Sequence, residues 1–200
     1  MSTWTAANSA ALLDQRVVGV NFHDIAAENR AEVKDRLRRA SELGPSLDPD
    51  EVAPDGSQGG PRIFVAFYDG YHDTGLFGAE LCADLGIRAY FFPIFASADP
   101  YRAQLTDADL AQIATAHELC FHSTSHFAAE QVTPETVARE VLEPVERMRA
   151  ITGSVPRIGA WRGGTRFDDQ LLGDQTARDL GLRYIVSNWS IEKIAESVVS

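Results

Sequence analysis

Two histidines four residues apart, in His-Ser-Thr-Ser-His at 122–126, form the pattern in this 200-residue chain most suited to chemistry. If the segment makes a helical turn, both imidazoles point toward one spot, and a carboxylate from another strand end can close a third position. Asp69 is the natural third ligand. Three nitrogen and oxygen ligands with a fourth position open describe a catalytic zinc-type centre. The metal in such a centre lowers the pKa of bound water to about 7 and polarises a carbonyl, so it hydrolyses amides or esters. Spacing alone leaves a second reading open, in which a Ser/Thr-rich turn uses both imidazoles as partners for backbone groups.

The elements that would position these residues follow a strand–helix alternation. Apolar runs at 17–22, 62–67, 87–94, 118–121, 157–161 and 183–187 predict six strands. Between them, Val33, Leu37 and Ala40 share one face of a helix ending at Gly44-Pro45, and 76–86 predicts a helix with Phe77, Leu81 and Leu85 inward and Gly86 at its C-terminus. Thr133-Pro134 starts a third helix, with Val137, Val141, Val145 and Met148 along one stripe, a kink at Pro144 and an end at Gly153. A shorter helix spans about 168–181. This order implies an α/β fold with a mostly parallel sheet, open or barrel-shaped, whose functional groups collect beyond the strand C-termini. Polar residues stand there: His23-Asp24, Tyr68-Asp69, His122, Arg162 and Asn188-Trp189. His117 precedes its strand and belongs at the opposite rim.

Composition narrows the partners. With 18 Lys+Arg against 29 Asp+Glu, the formal charge is -11, which repels nucleic acid and anionic lipid surfaces. No glycine-rich nucleotide motif opens a helix, so no dinucleotide or nucleoside triphosphate site is expected. Cys82 and Cys120 read as buried thiols. Absence of a leader and of a long apolar run predicts a cytoplasmic protein. A single domain is expected over 1–200, with 1–16 as an extension and 46–61 as a long loop prone to disorder or nicking.

Three segments in order, within about residues 17 to 190, resemble the polysaccharide deacetylases of carbohydrate esterase family 4, which share nodulation-factor deacetylase homology. AFYDGYHDTG (66–75) resembles the family's Thr-Phe-Asp-Asp-Gly motif, HELCFHSTSHF (117–127) its His-Ser/Thr-x-x-His motif, and AWRGGTRFDD (160–169) its Arg-Pro-Pro-Tyr-Gly motif with both prolines replaced by glycine. IVSNWS (185–190) is similar to the segment carrying a fourth motif, and NFHDI (21–25) to the start of the branch acting on poly-N-acetylglucosamine. The resemblance implies a distorted (β/α) barrel, incomplete unless the chain continues, holding a divalent metal, zinc being the expected ion, on Asp69, His122 and His126. It further implies hydrolysis of an N-acetyl group on a sugar or a small acetylated metabolite.

Two departures bear on catalysis. The family's motif places a general base where this chain has Tyr68, a poor proton acceptor near pH 7 with a reference pKa near 10. The family's late Leu-His motif, whose histidine protonates the leaving amine, does not occur before Ser200. Either the chain continues or another group supplies the proton, from among His23, His72, Asp73 and Asp24, with His23 best placed. Arg162 would by resemblance hold the base's charge; beside Tyr68 it could instead stabilise a phenolate or pair with Asp168 or Asp169. Trp161, Trp189 and Tyr71 are candidates for stacking on a sugar ring, against a plain packing role. The expected partners are a small-molecule or oligosaccharide substrate and, through an open sheet edge, a second copy of the chain. Two alternatives stand beside the deacetylase: a homologue that binds metal and a carbohydrate-like ligand without turnover, and a metal-dependent lyase or cyclase using Tyr68.

Overall fold

The computed structural model describes residues 3–4, 17–51, 60–96, 99 and 101–195. Its strands are β1 (Thr3–Trp4), β2 (Val17–Phe22), β3 (Arg62–Asp69), β4 (Tyr90–Pro93), β5 (Glu118–Leu119), β6 (Ile158–Gly159), β7 (Tyr184–Val186) and β8 (Ile191–Lys193). The helices are α1 (Arg30–Ser41), α2 (His72–Asp84), α3 (Asp107–Ile113), α4 (Glu143–Thr152) and α5 (Leu172–Asp179).

Strands β1 to β5 form one sheet in chain order, and β6 to β8 a second. The ladders β2–β3, β3–β4, β4–β5 and β6–β7 are parallel. A parallel bridge between Phe121 and Gly159 links the two sheets, so six parallel strands curve around one axis. Among the described residues no ladder joins β2 to β7, and the barrel stays open. Its two edges carry the antiparallel strands β1 on β2 and β8 on β7, which occupy backbone groups that would otherwise invite pairing with another chain. Both cover strands escaped the sequence reading.

Alternation along the strands separates two cores. Phe64, Ala66 and Tyr68 of β3 pack inside the barrel with Tyr90, Phe92, Cys120, Ile158, Ala160, Tyr184 and Val186, without any helix residue. Ile63, Val65 and Phe67 point the other way, against Val33 and Leu37 of α1, Leu81 of α2 and Leu110 of α3. Aromatic rings stack across strands on both faces: Phe64–Tyr90 at 4.5 Å and Tyr68–Phe92 at 4.7 Å inside, Phe22–Phe67 at 5.2 Å and Phe67–Phe91 at 4.9 Å outside. Such pairs contribute about 0.5–1.5 kcal/mol each beyond the area they bury.

Part of the expected long loop plugs the bottom of the barrel. Leu47 joins the interior core, the Tyr90 hydroxyl donates to the Leu47 carbonyl, and Asp48 and Asp50 accept from Arg157. Arg157 in turn grips Glu118 through two 2.7 Å hydrogen bonds, and Arg183 grips Asp50 at 2.6 and 2.8 Å. A half-buried network of this kind stabilises more than isolated surface pairs do. Residues 46–51 are therefore anchored rather than loose; the expectation for 52–59, like that for most of the 1–16 extension, lies outside the described residues.

Along helix α2 and its C-cap, Leu81 is buried and Phe77 and Leu85 pack partly buried against the same core, as the stripe predicts, and Thr74, Gly75, Gly78 and Cys82 are buried beside them. A Cβ on Gly78 would lie 2.3 Å from the Phe67 ring, so the glycine face sets the approach of helix to sheet. The third predicted helix is a π turn (Ala138–Leu142) running into α4, with Pro144 in the first α turn and Gly153 closing it at φ 82°. Cys82 and Cys120 are free and buried, as expected. No described helix is long and apolar enough to cross a membrane.

Candidate metal centre

Asp69 ends β3, and alternation alone would send it outward with Ile63, Val65 and Phe67. At the strand end its φ of 68° breaks that alternation. Ser123 and His126 are the other non-glycine residues with positive φ among those described, each at 58°. Sparse backbone conformations of this kind cost roughly 1–3 kcal/mol each and persist where surrounding contacts enforce them. The 122–126 segment is thus a turn containing two left-handed residues, not the helical turn its spacing suggested.

The enforcing contacts are specific. Ser123 Oγ accepts the Phe127 N–H at 2.7 Å, Thr124 Oγ1 donates to the Arg139 carbonyl at 2.6 Å, and the Phe95 and Ala96 N–H groups donate to the Thr124 carbonyl at 3.0 and 2.8 Å. Glu140, fully buried in the π turn, accepts the Ser125 N–H at 2.8 Å and the Arg139 guanidinium at 2.7 Å. A single-turn π bulge is a frequent companion of functional sites. Here it carries the carboxylate that holds the backbone between the two histidines.

One nitrogen of each imidazole reaches the Asp69 carboxylate. His122 Nε2 stands 3.7 Å and His126 Nε2 3.5 Å from Asp69 Oδ1, and the three ligand atoms lie within 4.8 Å of one another. His122 Nδ1 donates to the Ala160 carbonyl at 2.7 Å, which turns the Nε2 lone pair toward Asp69. His23 Nδ1 donates to Asp69 Oδ2 at 2.9 Å and leaves Oδ1 facing the histidines. Both Asp69 Oδ1 and His122 Nε2 are buried without a hydrogen-bond partner. Two such orphaned atoms cost about 1–3 kcal/mol each, and a shared cation removes that cost. Ligands about 2.0–2.1 Å from a tetrahedral ion stand about 3.3 Å apart, close to the separations observed, so the three residues fit a divalent metal. Burial opposes ionisation of Asp69, but the imidazoles of His122 and His23 outweigh it and hold the carboxyl well below its ordinary range. Burial, with the charges of His122, Arg162 and His23, lowers the pKa of His126, while Asp69 opposes this; the shift favours the neutral, ligating imidazole.

A cavity of about 250 Å³ opens beside this cluster, lined among others by Asn21, His23, Tyr68, Arg162 and Asn188. Tyr68 completes the interior aromatic stack, between Phe92 and the His23 ring at 5.1 Å. Burial, with the charges of Cys120 and Asp69, pushes its phenol far above the ordinary range. Without a bound cation this favours the protonated, hydrogen-bond-donating hydroxyl over a phenolate. Arg162 does not pair with Asp168 or Asp169: Asp168 Oδ1 accepts the Gln170 N–H, and Asp169 Oδ1 the Gln170 amide.

The other candidates disperse. His72 bonds to Asp73 on the surface, and Asp24 pairs with Arg102 at 2.6 Å. His117 is buried at the opposite end, against the Ala79 carbonyl. Trp161 is buried with its indole N–H on Asp174 at 2.7 Å, so it packs instead of offering a face, and Tyr71 lies under the Arg102 guanidinium at 4.6 Å. Trp189 alone of the three is half-exposed. Gly163 and Gly164 adopt φ of 83° and 63°, which proline cannot reach, so the third motif follows a different backbone path, held by Asn188 Nδ2 on the Gly163 carbonyl at 2.6 Å. The sequence reading missed Glu140, Asn21 and Asp174. Buried polar residues of this kind leave no periodic signal.

Comparison with known proteins agrees with the geometry. The sequence profile described as polysaccharide deacetylase matches residues 55–185. A search of curated proteins gives no match. Among solved structures, IcaB from Ammonifex degensii superposes with a TM-score of 0.69 at 15% identity, covering 84% of this chain and 82% of that one. The Streptococcus pyogenes deacetylase PplD, solved with acetate, gives 0.63 at 16% identity, covering 82% and 79%. The BpsB deacetylase domain from Bordetella bronchiseptica gives 0.59 at 20% identity, covering 89% and 82%. With a family profile spanning more than half its length, the chain is a divergent member of the polysaccharide deacetylase family.

Proposed function

We propose that this protein is a metal-dependent amide hydrolase that removes acetyl groups from N-acetylated sugars or a small acetylated metabolite. The observation that carries the reading is the meeting of two buried, unpartnered atoms, Asp69 Oδ1 and His122 Nε2, with His126 beside them. Two nitrogens and one carboxylate oxygen suit zinc. When bound, such an ion supplies Lewis acidity toward an amide carbonyl and lowers the pKa of coordinated water to about 7.

The chain's own groups handle positioning and protons. His23 gives its Nδ1 proton to the Asp69 hydrogen bond, so in the neutral ring Nε2 is an acceptor on the cavity side. It takes the proton of the attacking water as the new C–O bond forms and returns it to the nitrogen as the C–N bond breaks, yielding acetate and a free amine. The Tyr68 hydroxyl, held neutral by burial, donates toward the developing oxyanion. Among the described residues that hydroxyl has no protein partner. His23 thus stands in for the carboxylate base that Tyr68 displaces.

Screening acetylated sugars and sugar derivatives with zinc- or cobalt-loaded protein, read by mass spectrometry, tests the reading. Acetate release is expected, with loss of about 10²–10⁴-fold in kcat for His23→Gln. Confirmed bound metal with no acetate from any substrate would favour the second reading, a binder without turnover, for which Tyr68 is the supporting observation.

A further inference from the structure

The cavity beside the metal centre is lined by one guanidinium and by no acidic side chain. In a chain with 29 acidic and 18 basic side chains, its thirteen lining residues comprise Arg162, three histidines and nine uncharged residues, and none is acidic. Asp69 lies beneath it, committed to His23 and the two ligating histidines.

Arg162 is exposed and follows β6, with its backbone N–H on the Phe127 carbonyl at 3.2 Å. Its guanidinium has no carboxylate partner among the described residues. The position where a base would sit carries Tyr68, which offers no charge, and Asp168 and Asp169 accept from Gln170. Asn21 adds an unfilled acceptor, its buried and unpartnered Oδ1 on the cavity wall, which suits a donor of the same ligand such as a hydroxyl or the amide N–H and not the anion. A planar guanidinium fork beside a polar, acid-free cavity is suited to bidentate contact with an oxyanion. The volume lies below the ~300–1,000 Å³ of typical drug-sized sites, which fits one small ligand.

The geometry points to a substrate that carries an oxyanion, carboxylate or phosphate, near its acetamide, with Arg162 receiving the anion while the acetyl carbonyl meets the Asp69–His122–His126 centre. Arg162 is then a specificity residue whose usual charge partner the sequence has removed. The inference rests on the deacetylase reading for the direction of the acetyl group, but not for the anion preference.

Three probes separate the possibilities on zinc-loaded protein: neutral N-acetylglucosamine, its aldonic acid 2-acetamido-2-deoxygluconate, and N-acetylglucosamine 6-phosphate. Calorimetric binding and acetate release are measured for each. At least one anionic probe should be preferred over the neutral sugar by tenfold or more, in KM and in Kd, with the preference weakening as salt rises. The carboxylate and phosphate arms identify which anion is read. Arg162→Gln should bring the anionic-to-neutral ratio close to one, and Arg162→Lys should restore part of it. Equal affinity for all three probes, or an Arg162→Gln loss of the same size on the neutral sugar, would overturn the proposal. If no probe releases acetate but the binding preference and its dependence on Arg162 persist, the deacetylase reading fails and the anion site stands.

Discussion

Replacing Glu140 with alanine removes two charge-assisted hydrogen bonds, to the Ser125 N–H at 2.8 Å and to Arg139 at 2.7 Å, from a fully buried position. Hydrogen bonds to charged groups contribute about 1.5–3 kcal/mol net, and a buried donor left unpaired costs about 1–3 kcal/mol. Arg139 is exposed enough to recover water, so the loss concentrates at Ser125, and about 3 kcal/mol in total is expected. For a domain of this size that lowers Tm by about 6–12 °C. The turn it releases carries His126 in a left-handed conformation, so the ligands lose preorganisation and metal affinity should fall about 10–100-fold. Thermal unfolding with and without zinc, together with competition against a chromophoric chelator, reads both effects. Glu140→Gln keeps an acceptor for Ser125 and should lie between wild type and alanine. A Glu140→Ala protein with Tm and zinc affinity both at wild-type values would refute the claim that the π turn holds the histidine loop.

Tyr68→Phe keeps the stack against Phe92 and removes only the hydroxyl, so stability should hold while kcat falls about 10²–10³-fold, the usual cost of losing an oxyanion donor; unchanged kcat would leave Tyr68 a packing residue. Tyr68→Asp reinstates the family's base, and a large gain in turnover would mark the natural protein as a lapsed catalyst. Desolvation raises the buried Asp174 carboxyl to about 6, against partial relief from Asp168 and Trp161. A raised native pKa means the folded state holds a proton that the unfolded state releases, so this contribution to stability is complete below about pH 4 and declines through about pH 6. The stability difference between wild type and Asp174→Asn should therefore shift by roughly 1–3 kcal/mol in the variant's favour from pH 4 to 7, measured by urea unfolding, and a constant difference would contradict it.

The parallel strands were legible wherever both faces are buried, as in β2 and β3, because each reads as an unbroken apolar run. Strands β5 and β6 shrink to two residues each, since hydropathy marks burial and not ladder pairing. Helix α3 was readable in principle from its Thr106–Asp109 capping box but lacks a long apolar stripe. The inward stripe of α2 was legible from Phe77, Leu81 and Leu85, whereas the close approach at Gly75 and Gly78, which admit Leu105 and Phe67, leaves no hydropathy signal. Asp69, His122 and His126 were visible through motif spacing and do converge. The turn that joins the histidines was not visible, because left-handed backbone at Ser123 and His126 depends on partners from Phe95 to Arg139 that no local pattern reveals.

Metal stoichiometry by inductively coupled plasma mass spectrometry, on wild type and on folded Asp69→Ala and His122→Ala variants after zinc loading and dialysis, tests the central claim most directly. One ion per chain in the wild type and none in either variant is the predicted result. An equimolar ion retained by His122→Ala would contradict it.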